Sequence, residues 1–281
     1  MKAMQSDYRI GDLCTAFGVS RSGYHRWRTA APCARAGQDA QITLRLRELH
    51  AQSRGTYGRP RLTMALRQRG ARHSPKRIAR LMRLHGLRGV RRGRFRPQTT
   101  DSRHENGIAP NLLREQSAPT RPDQVWVTDM TYIPTGEGWL YVAGVLDRYS
   151  RRMLGLAMSA RLDTSLPEAA LRQAIARRAR PKGVLHHSDR GIQYTSARYR
   201  QLLQQYGLEA SMSRRANCYD NAHMESFWGT LKAELLADQT FATRAQAQNA
   251  LFEYIEIFYN RNRLHSALGF QSPVDFETKL N

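Results

Sequence analysis

Only three cysteines, Cys14, Cys33 and Cys218, occur in 281 residues. None pairs with another at a short spacing, and the nine histidines form no ligand pattern, so neither a disulfide framework nor a Cys/His zinc site is expected. Long apolar runs are also missing. Nothing approaches the roughly 20 residues of a membrane span, and the first residues lack a signal-peptide core. These absences predict a soluble, reduced, cytoplasmic protein that makes no use of a membrane. Heptads are not sustained over several repeats either, so a coiled coil would have to be supplied from outside the chain.

Acidic residues are scarce, and unevenly so. The chain carries 45 Lys and Arg against 23 Asp and Glu, a net charge of +22. Residues 1–123 hold 26 basic against 8 acidic side chains, whereas 124–281 hold 19 against 15. A front half with that excess suits neutralisation of phosphates on a nucleic acid, and the balanced rear half is free for another task. DNA as partner would place the protein at the nucleoid. The length allows one enzyme-sized domain with smaller modules around it.

The segment YRIGDLCTAFGVSRSGYHRWR sets Ile10, Leu13, Cys14, Phe17 and Val19 at helical spacing, and Gly18 breaks the run before a second basic helix near Ser20. This is a helix-turn-helix outline over residues 1–30, with Arg21, Tyr24, His25 and Arg28 directed at DNA; an ordinary helical hairpin is the plainer reading. Helices follow near 38–52, 59–69 and 74–85, making a helical DNA-binding module over 38–87. Ser74 suits an N-cap and Pro75 a first turn, Ile78, Leu81, Met82 and Leu84 mark a buried stripe, and Lys76, Arg77 and Arg80 crowd other faces as candidate DNA contacts. Periodicity is lost over 88–122, where GVRRGRFRP reads as a basic linker.

After the linker the pattern turns to strands: QVWVTDMTYIP, GWLYVAGVLDRYS and RRMLGLAMSA predict an antiparallel meander. A helix at about 164–180, the strand VLHHSD, a helix near 196–206, the strand EASMS and a long helix from about Asp220 to Leu236 complete the order. Three strands followed by α-β-α-β-α give the α/β ribonuclease-H-like fold with a mixed five-stranded sheet over 123–237, followed by a helical extension over 238–281.

Three carboxylates stand where a sheet-based metal site needs them. Asp129 interrupts an apolar, β-branched strand, which is costly unless a partner or cation satisfies it. Asp189 ends the strand VLHHSD, and strand ends of α/β sheets gather ligands. Glu225 lies in the first turns of the last helix, whose stripe of Met224, Phe227, Trp228, Leu231 and Leu235 faces the sheet. Lys232, seven residues on, lies about 20° from the direction of Glu225 on an α-helix and so reaches the same edge. Each acid alone has a structural reading: a hydrogen-bonded Asp, a turn former before Gly191, a surface charge. Together they suit hard Mg²⁺, two ions of it, with Mn²⁺ a workable substitute. Asp147 reads as a turn residue, His186 and His187 as structural or substrate-contacting, Cys218 as packing, and Asp220 with Asn221 as helix caps.

WVTDMTYI, HSDRGIQYTS and NAHMESFWGTLKAE, with thirty-five residues between Asp189 and Glu225, resemble the acidic motifs of retroviral-integrase-like DDE transposases. The nearest resemblance is to the second-frame (OrfB) product of IS3-type insertion sequences. YIEIFYNRNRLHSALGFQSPVDFE resembles that family's C-terminal signature, and GTYGRPRLTMALRQRG with SPKRIARLMRLHGLRG its N-terminal helix-turn-helix region. The resemblance implies a catalytic, metal-holding triad of Asp129, Asp189 and Glu225, a phosphate-positioning Lys232, and cleavage and strand transfer at element ends. It further implies a branched intermediate and excised circle, a frameshift fusion to the upstream OrfA product, and an oligomer on DNA. A ribonuclease-H-like nuclease or a non-catalytic DNA-binding regulator are the alternatives that composition and triad leave open.

Overall fold

The computed structural model describes residues 1–31, 33–90, 108–114, 116–214, 221–237 and 239–279. The core of the basic linker reading, residues 91–107, and the positions of Cys218 and Asp220 lie outside them.

Five helices come first: α1 (Ile10–Ala16), α2 (Arg21–Thr29), α3 (Ala34–Gln52), α4 (Arg59–Gln68) and α5 (Pro75–Leu84). Ser20 starts α2 by accepting from Gly23 N at 3.0 Å, and Ser74 starts α5 by accepting from Arg77 N at 3.2 Å. Each side chain satisfies one of the N–H groups that a helix start leaves unpaired. Ile78, Leu81 and Met82 are buried as their spacing requires. Leu84 is not. It is 68% exposed at the end of α5, and Phe17 and Val19, also assigned to an apolar stripe, are exposed past the end of α1. In all three the helix has ended or is ending, so periodicity no longer dictates direction.

The sheet has the order β3-β2-β1-β4-β5, from β1 (Val125–Thr135), β2 (Gly138–Asp147), β3 (Met153–Ser159), β4 (Leu185–Ser188) and β5 (Glu209–Met212). β1, β2 and β3 form the antiparallel meander, whereas β4 runs parallel to β1 and β5 parallel to β4. The chain between is helical: α6 (Ser165–Arg177), then a short α7 (Ile192–Thr195) that periodicity did not signal, and α8 (Ala197–Gln205). Strand alternation divides the sheet into two covered faces. Trp126, Ala143, Val145 and Leu154 pack with α6 and α8, while Val125, Val127, Ile133, Leu140, Val142 and Leu146 pack on the other side.

That second side is covered by α9 (Ala222–Leu231), a π-helical turn Lys232–Leu236 in place of the last part of the expected long helix, α10 (Arg244–Phe252) and the π-helical Glu253–Tyr259 that continues it; α11 (Pro273–Thr278) comes after them. The same hydrophobic core continues without a break into Leu46, Leu62, Leu66 and Ile78 of the front helices. The end of the presumed linker is packed as well. Leu113 is buried and Leu112 N donates to Ser211 Oγ of β5 at 3.1 Å. Among the described residues no helix is long and apolar enough to cross a membrane.

Helix and sheet approach closely at Gly155, where a Cβ would stand 1.9 Å from Ala170 O of α6. Gly155→Ala must push α6 off β3, and overpacking of this kind typically costs about 1–3 kcal/mol. A lowered denaturation midpoint with unchanged slope in urea is the expected result.

Candidate active site

Asp129 lies inside β1, paired across the ladder with Gly144 of β2. Alternation puts both on the face that α9 covers. A side chain at 144 would meet Met224 Cε of α9 at 3.3 Å and Met153 Sδ at 3.2 Å, so the glycine makes room for the helix to lie against the strand beside Asp129. The stripe of α9 is inward as its spacing predicts: Met224, Phe227, Trp228, Leu231 and Leu235 are all buried. Glu225 flanks that stripe and stays at the surface.

Asn221, expected to cap α9, makes no capping bond; its Nδ2 instead donates to Thr128 O at 3.0 Å. One buried amide therefore ties the first turn of the Glu225 helix to the residue before Asp129. Asp189 follows the last residue of β4, Ser188, and its Oδ1 accepts from Gly191 N at 2.9 Å. The next side chain fixes the same loop, Arg190 Nε donating to Ser213 O at 2.7 Å.

Strand, loop and helix thus bring three acids toward one region, and Asp129 registers the other two. Burial, then the negative charge of Asp189, and more weakly that of Glu225, push its carboxyl well above the usual carboxylate range. The Met130 backbone N–H opposes this. Partial burial raises Glu225 as well. Among the described residues no three His, Cys, Asp or Glu side chains stand close enough together to hold an ion as they are placed. The donors are all carboxylate oxygens that repel one another, which fits a hard divalent cation and not a Cys/His-bound metal.

Lys232 begins the π-turn after α9, its Nζ 5.6 Å from the centre of the Tyr132 ring. Burial lowers its pKa, and the charge of Asp129 opposes that shift. The ammonium is therefore near enough to Asp129 to feel it, as the seven-residue spacing from Glu225 anticipates.

The remaining polar residues are structural supports. Asp147 is fully buried and accepts from Asp123 N, Tyr149 N and Ser150 N, as a turn residue does. His187 lies between Ser211 Oγ and Ser213 Oγ at 2.9 and 3.0 Å, and His186 meets Tyr199 Oη at 3.2 Å. Sequence reasoning missed Tyr194, buried behind the acids with its hydroxyl 3.4 Å from Thr128 Oγ1. Its position in the run HSDRGIQYTS, five residues after Asp189, is the one signal that could have drawn attention to it.

Of the side chains assigned to DNA, Arg21, Arg28 and Lys76 are exposed. Tyr24 is a correction: it is 4% exposed and packed in the α1–α2 hairpin, its hydroxyl accepting from Gln5, because the hairpin needs an aromatic to fill its small core. Arg77 and Arg80 both pair with Asp39 of α3, Arg77 Nε at 2.7 Å, and so join α5 to α3, while the Arg80 side chain stays 47% exposed.

Comparison with known proteins adds three family matches: the HTH-like domain over residues 38–95 and the integrase core domain over 119–218 and 225–280. An insertion element IS600 31 kDa protein of Shigella sonnei is 47% identical over 96% of this chain and 98% of its own. The transposase for insertion sequence element IS904 of Lactococcus lactis is 41% identical over 84% and 93%. Transposase InsF of insertion sequence IS3A from Escherichia coli is 38% identical over 98% and 96%.

The raised pKa of Asp129 sets the sign of a stability test. Its charged form is disfavoured in the folded state, so the penalty is absent below the ordinary value of 3.8, grows as pH rises through the window up to the raised folded value, and is complete above it. Asp129→Asn removes it. Without divalent ions the variant should melt above the wild type near neutral pH, and calorimetry at falling pH should show the difference closing.

Proposed function

The chain belongs to the IS3 family of insertion-sequence transposases, a DNA transposase with an integrase-type core, and from that premise we propose that Asp129, Asp189 and Glu225 are its catalytic carboxylates, with Lys232 beside them to position phosphate. The observation that carries the assignment is the delivery of three acids by a strand, a loop and a helix, with the Asp129 carboxyl pushed up first by burial, then by the charge of Asp189 and more weakly by that of Glu225. A protein gains no stability from such a cluster, whereas a polynucleotidyl transferase needs it.

The three carboxylates would hold divalent metal, Mg²⁺ with Mn²⁺ as substitute and two ions in the active complex. Bound there, the metal would supply Lewis-acid activation of the attacking oxygen and stabilisation of the leaving 3′ oxygen. The chain's own residues set the geometry. β1 fixes Asp129, the bond from Gly191 N orients Asp189, and Asn221 holds the α9 end that carries Glu225. Lys232, with a lowered pKa but still near a carboxylate, would meet phosphate as a point charge.

In the first step water attacks a phosphodiester at the element end; a new P–O bond forms, the P–O3′ bond breaks, and a free 3′-hydroxyl leaves. In the second, that hydroxyl attacks another phosphodiester. One P–O bond forms as one breaks, so strand transfer needs no external energy source and no covalent protein intermediate. The exposed Arg21, Arg28 and Lys76 support contact with duplex DNA by the front helices. Family membership supports a working form fused to the upstream-frame OrfA product and assembled as an oligomer on the element ends.

Nicking and strand transfer with Mg²⁺ on DNA carrying the element's ends tests this directly, with wild type and Glu225→Gln each alone and fused to the upstream product. Glu225→Gln should lose more than the 10–100-fold typical of a missing outer partner of a metal ligand. DNA binding with no metal-dependent product from any form would instead leave a binding protein.

A further inference from the structure

The π-turn that follows the catalytic helix carries Glu234, a carboxylate with 6% side-chain exposure. Arg263, at 5%, grips it with both prongs of its guanidinium, Nη2 to Oε1 at 2.6 Å and Nε to Oε2 at 2.8 Å, and Tyr254 Oη donates to Oε2 at 2.8 Å. A third element reaches the same group. Arg61, on α4 of the HTH-like module, stands with Nη1 3.8 Å from Oε1 and donates through Nε to Leu264 O at 2.9 Å. Beside it the buried Tyr57 donates to Asn262 O at 3.1 Å and accepts from Leu264 N at 2.7 Å, and Gln68 Nε2 donates to Phe270 O at 2.8 Å.

A buried ion pair adds little net stability over apolar residues of the same shape, and its best-attested use is to fix one arrangement among several. A π-turn inside a helix is likewise seldom kept for stability. Here the π-turn begins at Lys232 and the ion pair lies two residues on, at the end of the helix that bears Glu225, and the pair is held by a C-terminal segment, itself π-helical over Glu253–Tyr259, that is clamped onto the HTH-like module. We propose that residues 254–264 form a bridge through which the docked HTH-like module sets the position of Glu225 and Lys232, with Tyr57, Arg61, Glu234 and Arg263 as positioning residues for strand cleavage. The inference rests on the catalytic reading given above. Because the bridge is bonded to main-chain groups at 262 and 264, the module cannot shift relative to the helix without breaking bonds that Tyr57 and Arg61 make.

The test uses the full chain in the form that nicks element-end DNA. Tyr57→Phe leaves the ring in place and removes only the hydroxyl, and at 5% exposure Tyr57 is not available as a DNA contact. Arg61→Met removes the reach to Glu234 and Leu264, and Arg61→Lys is the milder form if folding suffers. The expected result is a saturating nicking rate about tenfold to a hundredfold lower, the range that small misplacement of catalytic groups produces, with affinity for end DNA within about twofold of wild type. In the DNA-free variants amide exchange at 232–236 should speed up, a readout that needs no activity. Wild-type rates with unchanged exchange in both variants, or weaker DNA binding with an unchanged saturating rate, would overturn the proposal. If wild type itself gave no metal-dependent product, the catalytic reading would fall while the exchange measurement still decided whether the bridge exists.

Discussion

Everything around the site answers to one constraint, that a buried carboxylate on a covered face of a central strand feels the negative charge of two others. Left to themselves the acids would separate or one would take up a proton, since burial and like charge both disfavour ionised Asp129. The structure opposes this with short-range geometry. Gly144 lets Met224 approach the strand, Asn221 bonds across to Thr128 O, and Gly191 N fixes Asp189. The apolar stripe of α9 supplies the burial that keeps the helix down. Stability and chemistry thus compete at a few positions, and the competition is confined to the edge of a core that is otherwise apolar.

Scarcity of acid shapes the rest of the molecule. With basic side chains in such excess, single carboxylates serve two guanidiniums: Asp39 takes Arg77 and Arg80, Glu277 takes Arg152 and Arg178, and Glu234 takes Arg61 and Arg263. These shared pairs join elements distant in sequence. Arginine is suited to this because its planar fork can satisfy one partner while stacking on or bonding to another. A basic face is therefore not a direct map of DNA contacts, because part of the charge is already used in holding the helices together.

Much of this was legible before any coordinates. Alternation in VWVTDMTYI gave the strand and put Asp129 on a definite face, and the spacing of Met224, Phe227, Trp228, Leu231 and Leu235 gave the buried side of α9. Helix starts at Ser20 and Ser74 were readable because capping is local. What failed was long-range or terminal. Tyr24 looked like a DNA contact because its helix is basic, but only the fold shows that the hairpin has almost nothing else to bury. Leu84 followed the period of α5 into a turn where the helix stops. Asn221 was read as a cap because capping is what an Asn before a helix usually does, and the competing carbonyl of Thr128 is 93 residues away. The change from α to π geometry at Lys232 has no local signature, and the partners of Glu234 within it, Tyr254 and Arg263, come from 20 and 29 residues away.

The division of the chain into modules does not give each module its own core. Composition separates a basic helical front from a strand-rich rear, and loss of periodicity between them suggests a linker. Yet Leu46, Leu62 and Ile78 share one core with Val127, Leu231 and Tyr254. Hydrophobic burial is non-directional and does not respect sequence order, so a change in pattern marks a change of local structure and not an independent folding unit. For a transposase this continuity has a use. An enzyme that recognises a DNA end and cuts at a set distance from it must hold the recognising surface at a set distance from the reacting groups, and a shared core fixes that distance where a flexible connection would leave it to chance.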